Sequence, residues 1–210
     1  MTTDIFLVRH GESESNVEGR LCGVPPGPGL TAHGRRQAAA VARQLLGRGV
    51  RPGRIVASPL QRALETAQPF ARATGLHIEV ADELREVTFG AWEGLRVAQL
   101  AAEPDFRAWC LDPERCPPPA GERLSDVGLR VGRLVRRLAA LGAPGAVVGF
   151  SHMHPLIGAM LEGRGRDFAG EMAVVPNAAI VHLQVENGVL RFVSLDPTAS
   201  GVGDAPAVAL

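Results

Sequence analysis

Short apolar runs that each stop at a polar, chemistry-bearing motif constrain this chain more than any other feature. Ile5 to Val8 leads into Arg9-His10-Gly11-Glu12. Ile55 to Ala57 leads into Ser58-Pro59-Leu60-Gln61-Arg62, and Val147 to Phe150 leads into Ser151-His152. Unbroken runs of this length fit strands buried on both faces, as in parallel sheets. In open α/β sheets, ligands bind just outside the carboxyl ends of the strands. The three motifs are therefore expected around one crevice, with two imidazoles and two guanidiniums facing it. That set suits phosphoryl transfer through a histidine.

The intervening sequence supplies the helices. Thr31 is a suitable N-cap for a helix reaching Leu46, which Gly47 and Gly49 end. Leu60 to Ala73 reads as a second helix, with Pro59 at its start and Gly75 past its end. Val127, Val131, Leu134, Val135 and Leu138 make a helical stripe within Ser125 to Leu141. A further helix is expected from His154 to Leu161. Strands are expected at Asp4 to Val8, Arg54 to Ala57, Leu76 to Val80 and Ala146 to Phe150. Asn187-Gly188 joins two more strands, Ala178 to Val185 and Val189 to Leu195, as a hairpin. The expected fold is α/β, a three-layer α/β/α arrangement with a mostly parallel central sheet. One domain spans 1–210, residues 84–122 form a short helical or loop lid, and the tail 198–210 frays.

Composition removes several chemistries. All 22 basic residues are Arg, so no lysine Schiff base or phosphate-loop lysine is available. Tyr is absent. A formal net charge of +0 gives no bulk attraction to nucleic acid or to an acidic membrane surface. No run is long enough to span a membrane, and no secretory signal is visible, so a cytoplasmic location is expected. Cys22, Cys110 and Cys116 match no zinc spacing, and neither Cys110 nor Cys116 has an arginine at the thiol-phosphatase distance. They are read as structural thiols.

Each site residue has its chemical reason. A neutral imidazole at His10 can attack phosphorus, provided its other nitrogen donates to a backbone carbonyl, for which Gly11 is the nearest choice. Arg62, about one turn into its helix, can lean back toward the helix N-terminus and hold two phosphate oxygens in a fork. Arg9 and His152 add donors to the transferring oxygens. Glu86, in Leu84 to Gly94, could act as general acid and then general base if burial raises its pKa. Glu12 and Glu93 compete for that role. His154 is placed either behind the contacting residues or at the pocket rim. His33, His77 and His182 are read as lying in helix or strand, and no role is assigned to them.

Taken together these residues resemble the histidine phosphatase superfamily, in the branch that includes cofactor-dependent phosphoglycerate mutases. The resemblance rests on Arg9-His10-Gly11-Glu12 with Asn16, and on Leu30-Thr31 with Gly34 and Gln37-Ala38. It continues through Ser58-Pro59-Leu60 with Arg62-Ala63 and Glu65-Thr66-Ala67, Leu84 to Gly94, Gly121-Glu122 with Arg130, and Ser151-His152. It implies a phosphohistidine at His10, phosphate contacts from Arg9, Arg62 and His152, and acid–base work by Glu86. It also implies no metal, with Asn16, Cys22 and Gly23 on the substrate side. No cofactor is expected, and Ser58 and His154 are added as candidate substrate-side residues. Met153, where Gly is common, and Arg123, where Ser is common, depart from the pattern on the substrate side.

The expected activity is hydrolysis of a small phosphorylated metabolite. The alternatives are a phosphoglycerate mutase, which this short lid without Tyr disfavours, and a non-catalytic phosphate-binding module. The expected partner is a small phosphate ester, with no nucleic acid and no membrane. The oligomeric state stays open, a homodimer among the choices.

Overall fold

The computed structural model describes residues 2–142, 144–165 and 175–197. In chain order the elements are β1 (Thr2–Arg9), α1 (Glu14–Glu18), α2 (Ala32–Gly47), β2 (Pro52–Ala57), α3 (Gln61–Thr74) and β3 (Ile78–Val80). They continue with α4 (Val97–Leu100), α5 (Pro104–Leu111), α6 (Leu124–Ala140), β4 (Ala146–Ser151), α7 (Met153–Gly163), β5 (Ile180–Glu186) and β6 (Val189–Asp196). The sheet order is β3-β2-β4-β1-β5-β6. Strands β1 to β4 run parallel, and the β5–β6 hairpin joins antiparallel to β1.

Side-chain alternation builds the layers. Ile5 and Leu7 of β1 enter one core, which Val131, Leu134 and Val135 of α6 and Leu156 and Met160 of α7 complete. Val8 enters the other, with Val41 and Leu45 of α2 and Phe70 of α3. Because both faces are covered, every residue of β4 is buried, which is why its run shows no polar alternation. Removing a side chain such as Phe70 would cost about 3–5 kcal/mol through lost transfer energy and the cavity left behind.

The expected helix signals act as the chemistry requires. The Thr31 side chain accepts from the Gly34 amide at 3.0 Å, and Gly75 closes α3 at φ 73°. The start of α3 is capped from elsewhere: Gln61 N donates to Pro26 O at 2.8 Å. This bond ties the Gly- and Pro-rich segment 19–29 to the helix that carries Arg62. Two local expectations need correction. Residues 14–18, for which no helix is expected, form α1, because Ser13 and Asn16 cap it reciprocally. His77 lies in the connection before β3 rather than in an element. The expected frayed tail, 198–210, lies outside the described residues.

A third apolar cluster lies within residues 84–122 and the chain packed against them. Phe89, Trp92, Phe106 and Trp109 meet Leu21 and Val127 there, with Trp92 edge-on to Phe106 at 5.4 Å between centroids. No helix among the described residues is long and apolar enough to cross a membrane.

Candidate active site

Strands β2, β4 and β1 lie side by side, so their three motifs emerge together. The pairing continues past the strand ends. His10 N donates to Ser151 O, and Ser58 N donates to Phe150 O, each at 2.9 Å. Motifs separated by up to 142 residues thereby become neighbours, and the His10 and His152 rings lie 5.1 Å apart, tilted by 60°.

His10 is buried, with Nδ1 2.7 Å from Gly11 O. The Gly11 carbonyl can only accept, so Nδ1 carries the proton and Nε2 keeps its lone pair. Arg62 Nε donates to that lone pair at 3.0 Å. Burial holds the His10 ring well below the usual imidazole range, and Arg62, His152 and Arg9 push it the same way, against the Gly11 bond. His10 is therefore neutral at neutral pH, as a nucleophile must be.

Arg62 is buried on α3, and its Nη2 donates to Cys22 O at 2.7 Å. Thr66, one turn on, accepts from Gly11 N at 3.1 Å and donates to Arg62 O at 2.6 Å. That hydroxyl locks the His10 loop to the helix bearing Arg62. Arg9 donates Nη1 to Val175 O at 2.5 Å. Burial brings its guanidinium down to about 10, helped by Arg62 and opposed by Glu86, so it stays charged at neutral pH. His152 Nε2 lies 2.8 Å from Ser58 Oγ, which also accepts from Leu60 N at 3.3 Å. A hydroxyl already accepting can give its own proton to Nε2, which leaves Nδ1–H as the free donor of His152.

Among the described residues six buried side-chain nitrogen or oxygen atoms lack a hydrogen-bond partner. Three of them, Arg9 Nε, Arg62 Nη1 and His152 Nδ1, belong to the ring around His10. Buried donors are normally satisfied, so three on one ring mark a place built for an anion.

Glu86 is buried at the edge of this ring. The expectation of a raised pKa is corrected. Burial pushes the carboxyl up, but the His154 ring and its hydrogen bond, the His152 ring and the Val87 amide together hold it below the usual carboxylate range. Arg9 and Arg62 add positive charge nearby, and these surroundings favour the ionised form. The competing carboxylates are engaged elsewhere. Glu12 Oε1 accepts from Thr31 Oγ1 at 2.6 Å. Glu93 accepts from the amides of Gly23 and Phe89, each at 2.9 Å.

Of the residues expected on the substrate side, Asn16 and Cys22 are at least partly open to solvent, whereas Gly23, Ser58 and His154 are buried. Ser58 holds His152 and His154 holds Glu86, so the expectation of His154 at the pocket rim is corrected. Asn16 is exposed, and its Oδ1 is taken by Ser13 and Asn177. Cys22 is a half-exposed free thiol. Gly23 lies so close to the acid-bearing segment that a Cβ there would sit 2.2 Å from Val87 O. Two supports were assigned no role from the sequence, Asn177 without any signal and Arg130 only as part of the resemblance. Asn177 Nδ2 donates to His10 O at 3.1 Å from just before β5. Arg130, on α6, donates to Glu83 O, to Glu86 O and to the Glu122 carboxylate, fixing the backbone that presents Glu86.

A mixed sheet whose parallel strands carry two histidines and two arginines at their carboxyl edge defines a class of phosphate-handling α/β proteins, and the comparisons agree. The family model for the histidine phosphatase superfamily (branch 1) matches residues 5–197. The chain belongs to that superfamily. It is 41% identical over 156 residues to a bifunctional protein of Mycobacterium tuberculosis, covering 73% of this chain and 42% of that protein. The chain thus spans less than half the length of that relative. It is 32% identical over 186 residues to the adenosylcobalamin/alpha-ribazole phosphatase of Salmonella typhimurium, covering 88% of this chain and 86% of that one. Among solved structures, a mycobacterial glucosyl-3-phosphoglycerate phosphatase superposes with a TM-score of 0.80 at 31% identity, covering 93% of this chain and 98% of that one.

Proposed function

We propose that this protein hydrolyses phosphomonoesters of small metabolites in two steps through a phosphohistidine at His10. The observation that carries this reading is the set of unpartnered buried donors, Arg9 Nε, Arg62 Nη1 and His152 Nδ1, around the lone pair of a neutral His10. An ester phosphate held there takes the donors on its oxygens and brings its phosphorus to Nε2. The lone pair forms the N–P bond as the ester P–O bond breaks, and Glu86 gives a proton to the leaving oxygen. In the second step Glu86 takes a proton from water, the water oxygen bonds to phosphorus, and the N–P bond breaks to return His10 and inorganic phosphate. The dianion reverses the local electrostatics: two negative charges beside Glu86 favour its protonated form.

The organic part of the ester lies on the side of Asn16, Cys22 and Gly23. Residues 84–122 act as the lid, with the Phe89–Trp109 cluster excluding water above the acid. The named phosphatase relatives support hydrolysis of small esters, and the absence of Tyr from the lid supports it over mutase chemistry. The test is 4-nitrophenyl phosphate hydrolysis in chelator, with the phosphoenzyme trapped by an alkaline detergent quench. Turnover by wild type, with acid-labile phosphate on the protein that His10→Ala abolishes, is expected. Equal turnover by His10→Ala would overturn the reading.

A further inference from the structure

His154 is buried behind the site, and neither phosphate contact nor nucleophile explains its placement. Its ring is wedged in the lid cluster, 5.5 Å from Trp109 and 5.8 Å from Phe89 between centroids. Nδ1 lies 3.1 Å from Glu86 Oε1, and the His154 main-chain amide donates to the same oxygen at 3.3 Å. Val87 N adds a third donor to Oε1 at 2.9 Å. Among the described residues no hydrogen bond reaches Oε2. The carboxyl is thus polarised: one oxygen is saturated with donors, and the other is left to carry a proton.

We propose that His154 is a positioning residue that sets the acid strength of Glu86, gripping Oε1 so that Oε2 alone holds and delivers the proton. This rests on the phosphomonoesterase reading and adds to it. A carboxylic acid bears its proton on the oxygen that does not already accept three N–H groups. When that proton leaves for the ester oxygen, the negative charge that develops spreads onto Oε1, where the Nδ1–H bond strengthens. His154 thereby favours the conjugate base, making Glu86 a stronger acid in the first step and a weaker base in the second. The outer nitrogen, Nε2, is buried without a partner against the aromatic wall, so the ring has no hydrogen-bonded path by which to pass a proton outward. It acts on Glu86 and does not relay. The other charged or titratable groups facing Glu86 are Arg9 from β1, Arg62 from α3 and His152 at the start of α7. Arg130 of α6 reaches the Glu86 main-chain carbonyl. These stay in place when only residue 154 is changed.

The experiment is single-turnover cleavage of β-glycerol phosphate, a poor leaving group, with enzyme in excess across a pH range. It is repeated with 4-nitrophenyl phosphate, whose leaving group needs little protonation. His154→Phe keeps a ring against Trp109 and Phe89 but lacks Nδ1–H; His154→Asn keeps a side-chain N–H. For β-glycerol phosphate the alkaline limb is expected to move up by at least half a pH unit in His154→Phe. His154→Asn is expected to return at least half of that displacement. The 4-nitrophenyl phosphate profile should keep its shape in both variants. An unmoved limb, or equal rate losses on the two esters at every pH, would overturn the assignment and reduce His154 to packing. Failure of the wild type to cleave either ester would instead bring down the phosphomonoesterase reading itself.

Discussion

Arg62 Nε donates to His10 Nε2 at 3.0 Å, so the guanidinium proposed to hold the phosphate already touches the nitrogen proposed to attack it. Both groups are buried, and the arginine's second arm is fixed on Cys22 O. The phosphate position is therefore defined before any ester arrives. Such preorganisation is worth most where it acts on developing charge.

Arg62→Lys is expected to lower kcat/KM for 4-nitrophenyl phosphate by roughly 100- to 1,000-fold, about 3–4 kcal/mol. An ammonium keeps the charge but cannot bridge two oxygens and also face His10. Circular dichroism should show an unchanged fold. Near wild-type kinetics would mean that the fork is not used.

Glu86→Gln should separate the two kinds of ester. Loss of the proton donor should cost 100-fold or more on an alkyl phosphate. The cost on 4-nitrophenyl phosphate should be at least tenfold smaller, because a nitrophenolate leaves unaided. Equal losses on both would assign the acid role elsewhere.

Folding stability should fall on the acid side. His10 and His152 are held well below their ordinary value of 6.5. The unfolded chain therefore takes up protons near pH 6.5 that the folded site refuses, and their contribution is full above that pH and lost below it. Glu86, held below its ordinary 4.5, adds a second loss as the pH falls through that value. Calorimetry should give a lower Tm at pH 5.5 than at pH 7.5, and a smaller difference in the double variant His10→Gln, His152→Gln. A Tm that does not change over this range in wild type would contradict the buried neutral imidazoles.

Gly34→Ala tests the close approach of α2 to the nucleophile loop. A Cβ there would lie 2.0 Å from Glu12 O, and one on Gly11 would lie 2.4 Å from Gly34 O. Neither loop nor helix end can yield without moving the Gly11 carbonyl that orients His10. The expected result is a loss of about 1–3 kcal/mol of stability with a drop of tenfold or more in kcat/KM. Gly47→Ala, with nothing within 4 Å of the added carbon, should be neutral or stabilising by about 0.5–1 kcal/mol. Matching melting curves for the Gly34 and Gly47 variants would show that the approach is not tight.

The sequence by itself determined the strands, the helices that carry the motifs, and the identity of the ring residues. Buried parallel strands leave unbroken apolar runs, and Thr31 and Gly75 mark helix ends through local chemistry alone. His10 and Gly11 are adjacent, so even the Nδ1 acceptor was legible. Tertiary structure alone decided the ionisation of Glu86, because the groups that oppose its burial, His154 and His152, stand more than 60 residues away in the chain. The same holds for the support that Asn177 and Arg130 give, because their hydrogen bonds to the main-chain carbonyls of His10 and Glu86 reach groups every residue has. Residue type and spacing reveal which side chains can do the chemistry. The charge each one holds depends on what folding brings within a few ångströms of it.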